Sequence, residues 1–578
     1  MRSDEVVYKS QKLARVAPEI RALRLGMGWN PEDLEKPQVL IESTAGMSHP
    51  GSVHLDRVVQ AVEEGVRAHG GQPSHFTVTD ICDGIAQGHE GMNYSLASRE
   101  FICGMIEIHA QATPFDGLVL VSSCDKAIPA HLMSAARLGI PAVHVPGGTM
   151  LAGPDFLTLE QIGTYNVKLE QGEITSADFR RYELNACPSC GACQFMGTAC
   201  TMQVMAEALG LALPGSALIP AAQNGILRIA RAAGRAVVEL IQRGITARDI
   251  LTPAAFRNAI RVHAAIAGST NALLHLPAIA HELGITLAPE LFDKINREVP
   301  WLVDAKPSGR YPAEFVRYAG GVPAIMREIK ELLELDALTV TGKTVGENLE
   351  ELELSGYFEL AEFELRRYGL HQADLIRPRS RPLRPDGGIA VLSGNLAPLG
   401  AVVKQAAINF HMLCHTGPAV PFNSEEEAYQ AIVEKRIKPG SVIIIRYEGP
   451  RGSGMPEMFY TTEALAADRE LVNTTALVTD GRFSGASRGP AVGHVSPEAI
   501  SGGPLALIEP GDLIRIDIPG RRLDIVGVAG EEKKPADMER ILAARRATWQ
   551  PPTLPEKKGV LKIYCRSAAS AMEGGYME

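Results

Sequence analysis

The stretch from residue 118 to 148 constrains the fold more than any other part of the chain. LVLVSS (118–123) is a short apolar run, HLMSAARLG (131–139) carries helical spacing, and PAVHVPGG (141–148) is a second apolar run closing on a Gly-Gly turn. A strand, a helix and a strand at this spacing form the βαβ unit of a parallel sheet. Such a sheet must be covered by helices on both faces. The spacing therefore predicts a doubly wound α/β fold for the N-terminal part. TACTMQVMAEALGLAL (198–213) and PAAQNGILRIARAAGRAVVELIQRG (220–244) read as further helices.

The pattern changes near residue 380. RPRSRPLRPDGG (377–388) is rich in Arg, Pro and Gly and reads as a linker. Strand-like runs follow: IAVLSG (389–394), SVIIIRYEG (441–449), TALVTDG (475–481) and DLIRIDIPGRRLDIVG (512–527). The expected organisation is an α/β domain over 1–380 and a smaller, β-rich, barrel-like domain over 381–578. A chain of 578 residues can bury a core in each.

Charge and segment content exclude several classes. A formal net charge of −10 and a pI near 5.9 argue against a nucleic-acid partner. No apolar run reaches the roughly 18–20 residues of a membrane helix. The start, MRSDEVVYKSQKLARVAPEIRAL, is charged and lacks an apolar signal core. The expectation is a cytoplasmic protein with no membrane partner. Nine cysteines, an odd number, speak against a disulfide scaffold and leave thiols available as metal ligands.

Four of those cysteines, Cys187, Cys190, Cys193 and Cys200, crowd into CPSCGACQFMGTAC. The run has neither the ferredoxin spacing nor the paired knuckles of a zinc ribbon. All of them can bind one metal, or one can bind while the others fill a core. Two more cysteines each precede an aspartate: Cys82–Asp83 in DICDGIAQGHEGMNYSLASRE, and Cys124–Asp125–Lys126 in SSCDKAIPAH. The second pair follows a predicted strand, and ligands of α/β sheets bind at the C-terminal strand ends. A soft thiolate beside a hard carboxylate can serve two different metals, sulfur suiting iron–sulfur and oxygen suiting Mg²⁺. The plainer reading is a core thiol beside a turn acid; two pairs plus the cysteine run weigh against it. Further on, RYEGPRGSGMPEM (446–458) holds Glu448 and Glu457, and TDGRFSGASRGPAVGHVSPEA (479–499) holds Asp480, Arg482, Ser484 and Ser487. By itself Ser484 reads as a turn residue. With no G-x-S-x-G elbow and no neighbouring His, a serine hydrolase is disfavoured. In GSTNALLHLPAIAHELG (268–284), Ser269 or Thr270 reads as a helix cap, and His275 and His281 as packing or surface residues.

These segments, in this order and over nearly the whole chain, resemble the family of dihydroxy-acid, phosphogluconate and sugar-acid dehydratases. The resemblance implies an iron–sulfur cluster held by three cysteines with one iron open to substrate. Cys124 and Cys193 match two of the ligands. Dihydroxy-acid dehydratases carry the third in a Pro-Cys-Asn segment, where this chain has HPGSVHL with Gly51 at the cysteine's place. Cys82, which precedes Asp83 as in the phosphogluconate branch, is taken as the third. That choice places [4Fe–4S] ahead of [2Fe–2S]. The resemblance further implies Mg²⁺ on Asp83, Asp125 and Glu448, a carbamylated Lys126 as an anionic oxygen ligand, and Ser484 as the catalytic base. A homodimer or homotetramer is expected.

The HPGSVHL segment looks like the xylonate-type branch, so the expected reaction is dehydration of a sugar acid, a pentonate such as D-xylonate, to a 2-keto-3-deoxy acid. The alternative substrate is the dihydroxy acid of branched-chain amino-acid biosynthesis, whose pocket should be apolar around the substrate tail. From another class, the chain reads as an iron–sulfur electron-transfer protein or a zinc-stabilised binding protein.

Overall fold

The computed structural model describes residues 8–485, 487 and 489–578. The start of the charged N-terminal segment, and Ala486 and Arg488 of the TDGRFSGASRGP motif, lie outside the described residues.

A four-stranded parallel sheet organises the first part: β1 (Gln38–Ser43), β2 (Gln72–Thr77), β3 (Gly117–Ser122) and β4 (Ala142–Pro146), in the order β2-β1-β3-β4. Every residue of β1, β3 and β4 is buried, as expected for strands covered on both faces. One face carries helices α1 (Leu55–Ala68) and, from further along the chain, Gly225–Arg243. The other carries α2 (Tyr94–Ala112) and α3 (Ala127–Leu138). This is the doubly wound arrangement expected from the 118–148 spacing. The two helices of the first face touch through glycine: a Cβ on Gly65 would sit 2.1 Å from Arg231 O, and one on Gly234 2.3 Å from Val62 O. The helix expected to run to residue 213 is α4 (Thr198–Ala208). It stops because Gly210, at φ +83°, turns the chain.

The strand order places a topological switch between β1 and β3, because β2 lies on one side of that pair and β4 on the other. Loops leaving neighbouring strand ends diverge at such a point and leave a crevice.

The second part is a curled nine-stranded mixed sheet, a half-barrel. Its strands are β5 (Ala390–Leu392), β6 (Gly400–Val403), β7 (Cys414–Phe422), β8 (Val442–Ile445), β9 (Ala476–Thr479), β10 (Ala491–Ser496), β11 (Leu513–Asp517), β12 (Arg522–Val528) and β13 (Glu531–Glu532). β7, β8, β9 and β10 run parallel, so their C-terminal ends share one edge. Alternation decides the faces: Val442 and Ile444 enter one core, Ile443 and Ile445 the other. The C-terminal residues return to the first part, where Arg99 donates to Gly574 O (2.9 Å) and Gly575 O (3.0 Å). Among the described residues, no helix is long and apolar enough to cross a membrane.

Candidate active site

Three loops leave the C-terminal ends of β1, β2 and β3 and meet at the switch point. The loop after β1 carries His49 and Gly51. The loop after β2 carries Asp80, Cys82 and Asp83. The turn after β3 carries Cys124, Asp125 and Lys126. The loop after β4 holds the Cys193 segment, through Met150 N to Ala192 O (2.7 Å) and Thr149 Oγ1 to Cys193 O (3.2 Å). Backbone bonds tie the loops together: Gly191 N donates to Pro50 O (2.8 Å), and Ser123 Oγ donates to Gly51 O (2.5 Å).

One side of this crevice is sulfur. The Cys82 and Cys124 sulfurs and a ring nitrogen of His49 all lie within 4.8 Å of one another. The contact with Cys124 holds the Cys82 thiol below its ordinary value, whereas that contact and burial drive Cys124 well above its own. Burial and the charge on Cys82 push Cys193 up as well. Cys200 has a different surrounding: its thiol donates to Cys193 O (3.0 Å) and burial lifts it to about 12, the state of a core thiol. Cys187 is exposed and Cys190 half-buried. Gly51 backs onto the sulfur pair. A Cβ there would lie 3.2 Å from Cys124 Sγ and 3.1 Å from both His49 Nδ1 and Ser123 Oγ, so those three side chains crowd the space a side chain at 51 would claim.

The other side is carboxylate. Lys126, fully buried, donates to Asp83 Oδ2 (2.7 Å), and Ser95 Oγ donates to Asp83 Oδ1 (2.7 Å). Burial alone would raise Asp83, but Lys126 and Arg482 outweigh it and hold the carboxyl below its usual range. Asp125 bridges the two sides, with Oδ2 3.9 Å from Cys124 Sγ, and burial together with Asp83 pushes it to about 6.

The second sheet supplies the remainder from the ends of β8 and β9. Arg482, fully buried, is held by Met455 O (2.7 Å), Ser95 Oγ (2.8 Å) and Glu457 Oε1 (2.5 Å). Glu457 also accepts from Asn271 Nδ2 (2.7 Å), and burial raises it to about 7. The loop holding Ser484 presses on the start of α4: a Cβ on Gly485 would fall 2.7 Å from Gly197 Cα, so only glycine permits this approach. Lys404 Nζ donates to Gly485 O (3.4 Å) from behind.

Asp83, Asp125, Cys193, Glu457 and Ser484 line one cavity of about 400 Å³. Its lining also holds apolar Leu159, Ile162, Phe179, Phe195 and Phe459, together with polar Gln87, Glu160, Asn166, Thr198 and Tyr460. Cys82, Cys124 and Lys126 lie just behind the polar lining. Glu448 is not brought into it. Its carboxylate accepts from Ser453, its amide donates to Asp480 (2.9 Å), and burial raises it to about 8. Glu457, from the same loop, is the acid that lines the cavity, held there by Arg482, and it feels the charges of Asp83, Lys126 and Asp125. The sequence signal for Glu457 was its place in the same Gly/Pro-rich loop. The cap expectation at Ser269 becomes a bond between Ser269 Oγ and Thr198 Oγ1 (2.9 Å), His275 Nδ1 accepts from Arg99 in the core, and His281 stacks on Tyr576.

A parallel-sheet crevice that sets soft donors against hard ones around a cavity defines an α/β enzyme site. The chain belongs to the dihydroxy-acid/6-phosphogluconate dehydratase family: the family's N-terminal model matches residues 36–348 and its C-terminal model residues 374–575. As a member it is a hydro-lyase acting on a small molecule. It is 46% identical over 558 residues to a dihydroxy-acid dehydratase of Methanothrix thermoacetophila, covering 96% of this chain and 97% of the relative. It is 45% identical to those of Caldanaerobacter subterraneus subsp. tengcongensis (99% of each chain) and Moorella thermoacetica (100% of each). These full-length relatives overturn the sugar-acid expectation drawn from HPGSVHL. That segment packs behind the sulfur pair and contributes nothing to the cavity wall, so it carries no information about the substrate tail.

Proposed function

We propose that the chain dehydrates a 2,3-dihydroxy acid with a short branched aliphatic tail to the 2-oxo acid, as in branched-chain amino-acid biosynthesis. What supports this reading is the full-length similarity to dihydroxy-acid dehydratases together with the apolar share of the cavity lining. A pentonate bears a hydroxyl on every carbon and needs polar partners along its length, whereas Leu159, Ile162, Phe179, Phe195 and Phe459 offer an aliphatic tail apolar contacts.

The donor chemistry fits the family's usual cofactors. Cys82 and Cys124 come together within 4.8 Å, and Cys193, from a third loop, lies outside that group but feels the charge on Cys82; the three would hold an iron–sulfur cluster, with four iron and four sulfide per chain expected. Asp83, Asp125 and Glu457 are hard oxygen donors and would hold Mg²⁺, with carbamylated Lys126 adding an oxygen. When bound, the cluster supplies a Lewis acid for the C3 hydroxyl, and Mg²⁺ supplies positive charge at the substrate carboxylate and C2 oxygen. The chain does the rest. The apolar lining residues seat the tail. Ser484, in the same lining as Cys193, takes the C2 proton as an alkoxide, which requires nearby cations. The C2–H electron pair forms the C2=C3 bond as the C3–O bond breaks, the departing hydroxide takes the proton from Ser484 to leave as water and restore the alkoxide, and the enol becomes the 2-oxo acid without net redox change. Arg482 keeps Asp83 ionised beside the developing charge.

The test is an anaerobic assay of 2-oxo acid formation by cluster-replete enzyme on 2,3-dihydroxy-3-methylbutanoate, xylonate and arabinonate. Preference for the branched acid is expected. Faster turnover of an aldonate, or no turnover of any, rejects the reading.

A further inference from the structure

His49 lies behind the sulfur pair and takes no part in the chemistry above. It is 5% exposed, and its ring sits between two acceptors: Nδ1 lies 3.9 Å from Cys124 Sγ, and Nε2 lies 3.5 Å from Asp80 Oδ2. Neither Nε2 nor Asp80 Oδ2 has another hydrogen-bond partner. Asp80 is set for this contact, because Ile81 N takes its other oxygen at 2.8 Å and leaves Oδ2 facing the ring. The His49 backbone is fixed in turn by Ser52, whose amide and hydroxyl both donate to His49 O at 3.2 Å. A histidine used only as filler would not need a buried carboxylate aimed at it, since an unpaired buried acid costs several kcal/mol.

Resting on the cofactor reading given above, we propose that His49, oriented by Asp80, is a positioning residue that donates a hydrogen bond from Nδ1 to the Cys124 sulfur and so tunes the cluster. A metal-bound thiolate carries no proton, so the hydrogen of that contact comes from the ring. Donation draws electron density from the sulfur, which then gives less to its metal. The consequences are a higher reduction potential and a cluster harder to oxidise. Gly51 belongs to the same device, because a side chain at that position would press on Nδ1. The nearby Cys82 and Asp125 give the ring a negative surrounding, which suits a donor.

The experiment compares wild type, His49→Leu and Asp80→Asn after anaerobic reconstitution. It reads iron and sulfide per chain, midpoint potential, half-life of the visible absorption in air, and nitrogen coupling by pulsed EPR of the reduced protein. His49→Leu should keep the wild-type iron content, shift the midpoint to more negative values and bleach about tenfold faster, within the range for loss of such a partner. Asp80→Asn should move both in the same direction by less. Unchanged potential and half-life in Asp80→Asn and in any foldable His49 variant overturn the proposal. So does iron loss in His49→Leu with strong nitrogen coupling in the wild type, which makes His49 a ligand. A wild type that takes up no iron and sulfide overturns this inference together with the reading beneath it, whereas normal loading with indifferent variants overturns this inference alone.

Discussion

The sulfur side and the carboxylate side of the crevice are built on opposite principles. Asp83, Glu457, Lys126 and Arg482 neutralise one another through bonds of 2.5–2.8 Å and through a further Arg482–Asp83 approach of 3.6 Å, and Ser95 and Asn271 fill remaining positions. Apart from Asn271 Oδ1, that network finds its partners within the protein. On the sulfur side the Cys82 and Cys124 sulfurs lie within 4.8 Å of each other and of a His49 ring nitrogen, and His49 and Asp80 face each other at 3.5 Å without a full hydrogen bond. The contrast teaches where the chain depends on a guest: the hard side folds as a self-contained ion cluster, and the soft side is finished by whatever the thiols hold.

The largest expected effect comes from the soft side. Cys124→Ala or Cys82→Ser should abolish the visible absorption and lower dehydration by about 10³-fold or more, the worth of a lost Lewis acid, while leaving the melting temperature of the cluster-free protein near that of the cluster-free wild type. Cys187→Ser, at an exposed thiol, should keep the absorption. If Cys187→Ser bleaches and Cys82→Ser does not, the sulfur side has been assigned to the wrong residues.

Next comes the reverse experiment on the hard side. Arg482→Met leaves Glu457 and Asp83 uncompensated in the interior and should cost about 3–5 kcal/mol in urea unfolding even without cofactors. A loss under 1 kcal/mol would show that the carboxylate side is not self-contained. Glu457→Gln should reduce kcat/KM by about 10²-fold, the scale of one lost transition-state contact. Glu448→Gln should reduce it far less, since Glu448 is occupied with Ser453 and Asp480. Equal losses would return Glu448 to the site.

Glu448 also gives a pH test. Burial raises its folded-state value to about 8 from an ordinary 4.5. Between those values the folded chain keeps the proton and the unfolded chain releases it, so this group's contribution falls as pH rises from about 4.5 to 8. The melting temperature of Glu448→Gln relative to wild type should therefore climb across that window. A flat difference would place the group in water. The smallest effect is expected at the apolar part of the lining: Ile162→Thr should raise KM for the branched acid about tenfold with kcat little changed.

The place of Cys124–Asp125–Lys126 at a strand end was legible in the sequence, because it follows the apolar run at 118–123, whereas β2, which brings Cys82–Asp83 to the same crevice, gave no such run. The division of labour between Glu448 and Glu457 was not legible. Both occupy one Gly/Pro-rich loop, and the choice is made by Arg482, 25 residues further on and at the end of a different strand. The His49–Asp80 pairing was hidden for the same reason, since the two lie on loops after different strands. The substrate was misread because HPGSVHL, a local segment with a distinctive look, packs behind the thiols, whereas the wall that meets the tail is assembled from residues 159–195 and Phe459.

The account turns on two neighbouring sites of opposite chemistry sharing one cavity. Anomalous diffraction at the iron edge from anaerobically reconstituted crystals tests this most directly. It should place one iron peak among Cys82, Cys124 and Cys193 and none among Asp83, Asp125 and Glu457. Iron among the carboxylates, or none beside the three sulfurs, would contradict it.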